Sequence, residues 1–213
     1  MDGVEFDVRR TADWFLVVHH DATVQEMIIS ESPRRDLPDY LPTLDEAIRA
    51  CRGVEVNIEI KNYRHDSEPT YDETGRFALE VATFVSEHDL VNSTIISCFD
   101  LDTCVRVRDL NADLRVGWLL WNQPLANSIA RARELKLTSV HPVTSAVNRS
   151  GVDAAHAAGI AIYAWTAREP ADVDALARWN VDGLITDDPT GALTVLGRSS
   201  TDGAGDRPRR TDS

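Results

Sequence analysis

The sequence is poor in cysteine and in positive charge, and it has no long apolar run. Its three cysteines, Cys51, Cys98 and Cys104, are an odd number without close spacing. That excludes a disulfide framework and a Cys/His zinc site. It leaves small thiols in a reducing compartment. Lysine and arginine total 22 against 35 aspartates and glutamates, a net charge of −13. Such a chain is a poor partner for a nucleic-acid backbone or an anionic membrane surface. A small phosphate ester is still accommodated where a metal or a local cation reverses the field inside a pocket. No apolar run reaches membrane-spanning length. No strand-like segment is followed by the glycine-rich loop of nucleotide-binding folds. No signal peptide is recognisable. A cytoplasmic location is expected, with an export signal upstream of Met1 as the alternative.

Acidic residues, by contrast, sit in a pattern. In Gly3-Val4-Glu5-Phe6-Asp7-Val8 the apolar residues alternate with two carboxylates. Residues two apart in a strand share a face, so Glu5 and Asp7 lie about 7 Å apart on one side. Two like charges on one face need a positive group between them, and a divalent cation is the simplest. A second stretch, Val54-Glu55-Val56-Asn57-Ile58-Glu59-Ile60-Lys61, alternates the same way. Enough chain separates the two for a helical crossover, so they are expected to be parallel neighbours. Glu5, Asp7 and Glu59 then converge at one end of a sheet, with Lys61 beside them. The competing reading is a half-exposed antiparallel pair, and the α/β rhythm downstream disfavours it.

Leaving out a short extra strand at 14–18, strands are expected near 3–8, 54–61, 94–99, 115–120, 139–143, 160–165 and 181–186, each followed by a helix. Thr43, with Glu46 three residues on, predicts a capping box. Pro170 and Pro189 fall in the first turns of later helices. Residues 25–42 read as a polar connection, and 198–213 as a disordered tail after one domain over 1–197. His19 and His20 end an apolar run, where functional side chains of α/β folds gather. His88 and His156 read as surface residues and Arg34-Arg35 as a solvated loop. His141 is a candidate for the sheet's mouth. For Asp187 and Asp188 a helix-capping role is preferred.

With these residues in place, the sequence resembles the glycerophosphodiester phosphodiesterase family. The stretches that carry the likeness are Gly3-Val4-Glu5-Phe6-Asp7-Val8, Val17-Val18-His19-His20-Asp21, Leu41-Pro42-Thr43-Leu44-Asp45-Glu46 and Ile58-Glu59-Ile60-Lys61. Ile96-Ser97-Cys98-Phe99-Asp100, Ala164-Trp165-Thr166 and Val181-Asp182-Gly183-Leu184-Ile185-Thr186-Asp187-Asp188-Pro189 follow in the family's order.

The resemblance implies a TIM-type (β/α) barrel, with seven of eight units in this sequence. It implies hydrolysis of glycerophosphodiesters to an alcohol and sn-glycerol 3-phosphate. It also implies Glu5, Asp7 and Glu59 as ligands of Ca2+ or Mg2+, hard cations that oxygen-only ligation suits. His20 and Lys61 are the implied catalytic residues, Lys61 also touching the phosphate. Phe99 and Trp165 are implied walls beside the glycerol. The family's opening His-Arg-Gly and Pro-Glu-Asn-Thr motifs do not occur here. Three expectations follow: a start site placed too far downstream or a fragment, an open barrel pairing its edge in a homo-oligomer, or a catalytically silent metal-binding barrel. Without the His-Arg-Gly histidine, activity is expected to be impaired. The short 22–42 connection suggests an open cleft. A lysophospholipase D-type reaction on the same site is a further alternative.

Overall fold

A computed structural model describes residues 2–64 and 71–198. Among these residues, seven parallel strands alternate with seven helices, in the order read from the sequence. β1 is Gly3–Arg10, and the antiparallel β2 is Leu16–Val18. A hairpin of β3 (Thr23–Val24) and β4 (Met27–Ile28) precedes helix α1 (Leu44–Ala50). The repeating units continue as β5 (Glu55–Ile60), α2 (Arg76–Glu87), β6 (Thr94–Cys98), α3 (Leu101–Leu110), β7 (Arg115–Leu120) and α4 (Leu125–Glu134). They end with β8 (Ser139–Pro142), α5 (Arg149–Ala157), β9 (Ala161–Ala164), α6 (Pro170–Arg178), β10 (Gly183–Leu184) and α7 (Pro189–Val195). The sheet runs β10-β9-β8-β7-β6-β5-β1-β2, a curled partial barrel of the TIM type. β1 and β10 end the parallel run. Across that seam, the Arg198 guanidinium holds both carboxylate oxygens of Asp2 at 2.8 Å.

The outward faces of the strands pack under the helices. Val8, Val56, Ile58, Ile60, Ile96 and Val116 meet Phe77, Val81, Val85 and Val107 in one continuous core. The helix starts follow their sequence signals. Thr43 Oγ1 accepts from the Glu46 N–H, and the Glu46 carboxylate accepts from the Thr43 N–H at 2.8 Å. Asp188 caps α7 by accepting from the Gly191 N–H at 2.9 Å, as preferred for it.

Several expectations need correction. The early strand begins at Leu16 rather than Trp14. Trp14 adopts φ +66°, and the Arg10 and Arg76 guanidiniums lie over its ring. The polar connection has a core of its own. It folds around a satellite core of Val17, Val24, Ile29, Leu37 and Leu41; Arg35 is exposed as expected, while Arg34 is half-buried and donates to the Leu41 carbonyl at 2.9 Å. The last strand shrinks to Gly183–Leu184. His156 is a surface residue, as expected, and there pairs with Asp182 at 2.8 Å. The expected tail lies outside the described residues, save for Arg198.

His141 is turned into the barrel rather than to its mouth, with no exposure. Its Nε2 shares a hydrogen bond with Ser139 Oγ at 2.9 Å, and its ring lies 5.0 Å from that of Tyr163. Glycine makes room for both rings. A Cβ on Gly117 would come within 2.3 Å of His141 Nε2, and one on Gly183 within 2.4 Å of Tyr163. Burial pushes the His141 pKa down from 6.5 to about 3. In acid the unfolded chain therefore gains a proton that the fold refuses, and stability falls as pH drops below about 6.5. Between pH 7 and 5 this group alone should cost about 2 kcal/mol. His141→Leu should flatten that limb in urea titrations across this range, whatever its effect on stability at pH 7.

Candidate functional site

The site is set by strand register. β1 and β5 are parallel, with Asp7 beside Glu59 and Glu5 beside Asn57. Their polar faces point to the interior, and one carboxylate oxygen from each of Glu5, Asp7 and Glu59 lies within 4.8 Å of the others. Lys61, the residue after β5, brings its ammonium to 2.8 Å from Glu59 Oε1 and 3.1 Å from Asp7 Oδ1. The convergence expected from two alternating stretches is what the fold produces.

The electrostatics are those of a cluster short of positive charge. Burial, and then the Asp7 and Glu59 carboxylates, push the Glu5 carboxyl up to about 8 against the pull of Lys61. Burial also raises Glu59, with Lys61 opposing. For Lys61 the two carboxylates outweigh burial and hold it above its ordinary range. Glu5 Oε1 is buried with no hydrogen-bond partner among the described residues, as is Asn57 Oδ1. Buried oxygens of this kind ordinarily have partners. Three carboxylates with an unsatisfied inward oxygen and no sulfur or imidazole among them fit a hard divalent cation.

The histidines lie on the loop after β2. Arg9 continues the Glu5–Asp7 alternation and is almost fully buried. It donates to the His20 carbonyl through Nε at 3.0 Å and through its terminal nitrogen at 2.5 Å. The His19 N–H donates to the Asp7 carbonyl at 3.0 Å, and its ring Nε2 lies 3.2 Å from the Thr23 carbonyl. His19 is thus tied into the scaffold. The His20 ring is exposed, with Nδ1 2.8 Å from Asp21 Oδ1 and its other nitrogen left for a ligand.

The opposite wall is aromatic. Phe99 follows β6 and Trp165 follows β9, and their rings stand edge to face at 5.5 Å. Tyr63 extends the row on one side and Trp121 on the other, at 5.7 and 5.5 Å. The Trp165 indole N–H donates to the His141 carbonyl at 2.6 Å. All the expected site residues, Glu5, Asp7, His20, Glu59, Lys61, Phe99 and Trp165, border one cavity of about 1410 Å³ at the C-terminal ends of the strands. That is the functional end of such barrels.

Sequence reading missed Arg9, Asn57 and Trp121 as members of this lining, and undervalued Asp187. Each had a signal. Arg9 and Asn57 keep the strand alternation, and Trp121 lies two residues beyond Leu119, on the same inward face. Asp187 lines the cavity with Arg168 at 3.4 Å, while its neighbour Asp188 does the capping.

Fold and mouth together define the class, a TIM-type barrel with an acidic cluster and an aromatic wall at the C-terminal ends of its strands. More narrowly, the profile of the glycerophosphoryl diester phosphodiesterase family matches residues 1–190, and the chain belongs to that family. A glycerophosphodiester phosphodiesterase of Caldanaerobacter subterraneus is 27% identical over 220 residues, 92% of this chain and 86% of the relative. One from Bacillus subtilis is 24% identical, over 88% of this chain and 74% of its own length. A Parabacteroides distasonis glycerophosphodiester phosphodiesterase structure superposes with TM-score 0.80 at 23% identity, over 92% of this chain and 84% of that one. An Oleispira antarctica phosphodiesterase, solved with sn-glycerol-3-phosphate, gives 0.79 at 20%, over 92% and 85%.

Glu5 is the test of the cluster. Glu5→Gln removes one of three crowded negative charges, so the chelator-treated variant should melt a few degrees above the parent at pH 9, on the order of 2–6 °C. Adding Ca2+ or Mg2+ should raise the parent's melting temperature and move the variant's much less.

Proposed function

We propose that this chain hydrolyses glycerophosphodiesters to an alcohol and sn-glycerol 3-phosphate, with Ca2+ or Mg2+ held by Glu5, Asp7 and Glu59. The observation that carries the reading is the buried, unpartnered Glu5 oxygen inside a carboxylate cluster, in a chain of this family. When bound, the cation supplies Lewis-acid stabilisation of charge on the phosphate oxygens.

The chain's own residues do the rest. Lys61, at the end of β5, offers N–H donors to the phosphate beside the carboxylates and offsets its charge. Histidine has an ordinary pKa near neutrality, suited to giving a proton to a departing alcohol. His20 does so from Nε2 as a water oxygen bonds to phosphorus, its proton passing to solvent, and the P–O bond to the alcohol breaks, since Nδ1 is occupied by Asp21. Arg9 fixes that loop by its grip on the His20 carbonyl. Phe99 and Trp165 shield the glycerol from water.

No helix among the described residues is long and apolar enough to cross a membrane. The rim carries Glu169, Asp172 and Asp187, which disfavours a long acyl chain and so the lysophospholipase D alternative. Three free thiols, two of them buried, suit a cytoplasmic enzyme.

Release of glycerol 3-phosphate from glycerophosphocholine should require added Ca2+ or Mg2+ and stop with chelator. His20→Ala should lower kcat by about 10²–10⁴-fold. Release that chelator leaves untouched would overturn the metal assignment. A cation-stabilised protein without release would instead be a silent binding barrel.

A further inference from the structure

Trp121 stands out at the cavity mouth. It is 58% exposed, more than any buried-face packing would leave. One side of its indole leans on Trp165 at 5.5 Å and 45°, and the remainder borders the cavity. Its loop is set in place, because Gln123 Oε1 accepts from the Trp121 N–H at 2.8 Å and the Asn122 N–H at 3.1 Å. The indole thus carries the aromatic wall of Trp165 out to the rim of the cavity, where an aromatic face meets solvent.

The charges around it favour one kind of ligand. The cations of the cavity are engaged: Lys61 with Asp7 and Glu59, Arg168 with Asp187, and Arg9 with the His20 carbonyl. Glu169 and Asp172 border the same cavity, and neither has an ion pair among the described residues. A cation is attracted both to the face of an indole and to a carboxylate. The net charge of −13 reinforces this and opposes anionic groups.

We propose that Trp121, with Glu169 and Asp172, forms a head-group subsite that selects glycerophosphodiesters of cationic alcohols, those with a quaternary ammonium above all. The proposal rests on the phosphodiesterase reading above and narrows it. Phe99 and Trp165 serve the glycerol end, and Trp121, one ring further along the row, serves the alcohol that departs. It replaces the expectation that an open cleft admits varied head groups.

Glycerophosphocholine and its uncharged isostere, glycerophospho-3,3-dimethylbutanol, have the same shape and differ in charge. The parent enzyme should favour the choline ester in kcat/KM by about tenfold. Trp121→Ala should bring the ratio close to one, and Trp121→Phe, which keeps an aromatic face, should restore much of it. Equal rates in the parent, or a ratio that Trp121→Ala leaves unmoved, would overturn the subsite. A second readout needs no turnover. The indole NMR signal of Trp121 should shift on adding choline and stay put with 3,3-dimethylbutanol. No selective shift overturns the subsite, whereas a selective shift without hydrolysis of either ester supports it and overturns the phosphodiesterase reading alone.

Discussion

The rest of the structure depends on how β1 and β5 lie side by side. Their parallel pairing sets Asp7 against Glu59, with Glu5 one step along. Slipping that register by one residue would turn every carboxylate to the helix side and every valine and isoleucine to the interior. Val8, Ile58 and Ile60 are essentially without exposure on the outer face. The hydrophobic core therefore fixes the register, and the register fixes the acidic cluster. An unfavourable concentration of charge is maintained because the apolar faces of the same two strands admit no other pairing.

Lys61 only partly answers that charge. One ammonium bridges two of the three carboxylates, which leaves Glu5 with a buried oxygen and no donor. Such a deficit destabilises a fold that serves no ligand. In a barrel whose functional residues project from the strand ends, it reads as the cost of keeping a binding site ready.

Much of this was legible in the sequence, and the reasons are local. Alternation of period two alone places Glu5, Asp7, Glu59 and Lys61 on the polar faces of their strands. Thr43 and Glu46 announced their helix, and seven strand–helix repeats announced the architecture. What escaped depended on tertiary context. His141 follows the inward alternation of Ser139, yet only the space above Gly117 and Gly183 shows that it is packed rather than presented. Trp14 sits in an apolar run that reads as strand, but its ring is drawn between two arginines and its backbone turns. The connection at 25–42 reads as polar because its buried residues, Ile29, Leu37 and Leu41, are spaced without helical or strand period and complete their core only with Val17 and Val24.

The bond from the Trp165 indole to the His141 carbonyl has a consequence of its own. It anchors the aromatic row of the mouth to the most tightly filled part of the barrel, where a histidine and a tyrosine lie over two glycines. A surface so anchored cannot mould itself to its guest. The conformational freedom that a looser wall would surrender on each encounter has already been given up during folding. On the proposed reading, recognition along this row is a matter of fit to a standing shape, and a guest that does not match it gains little by waiting.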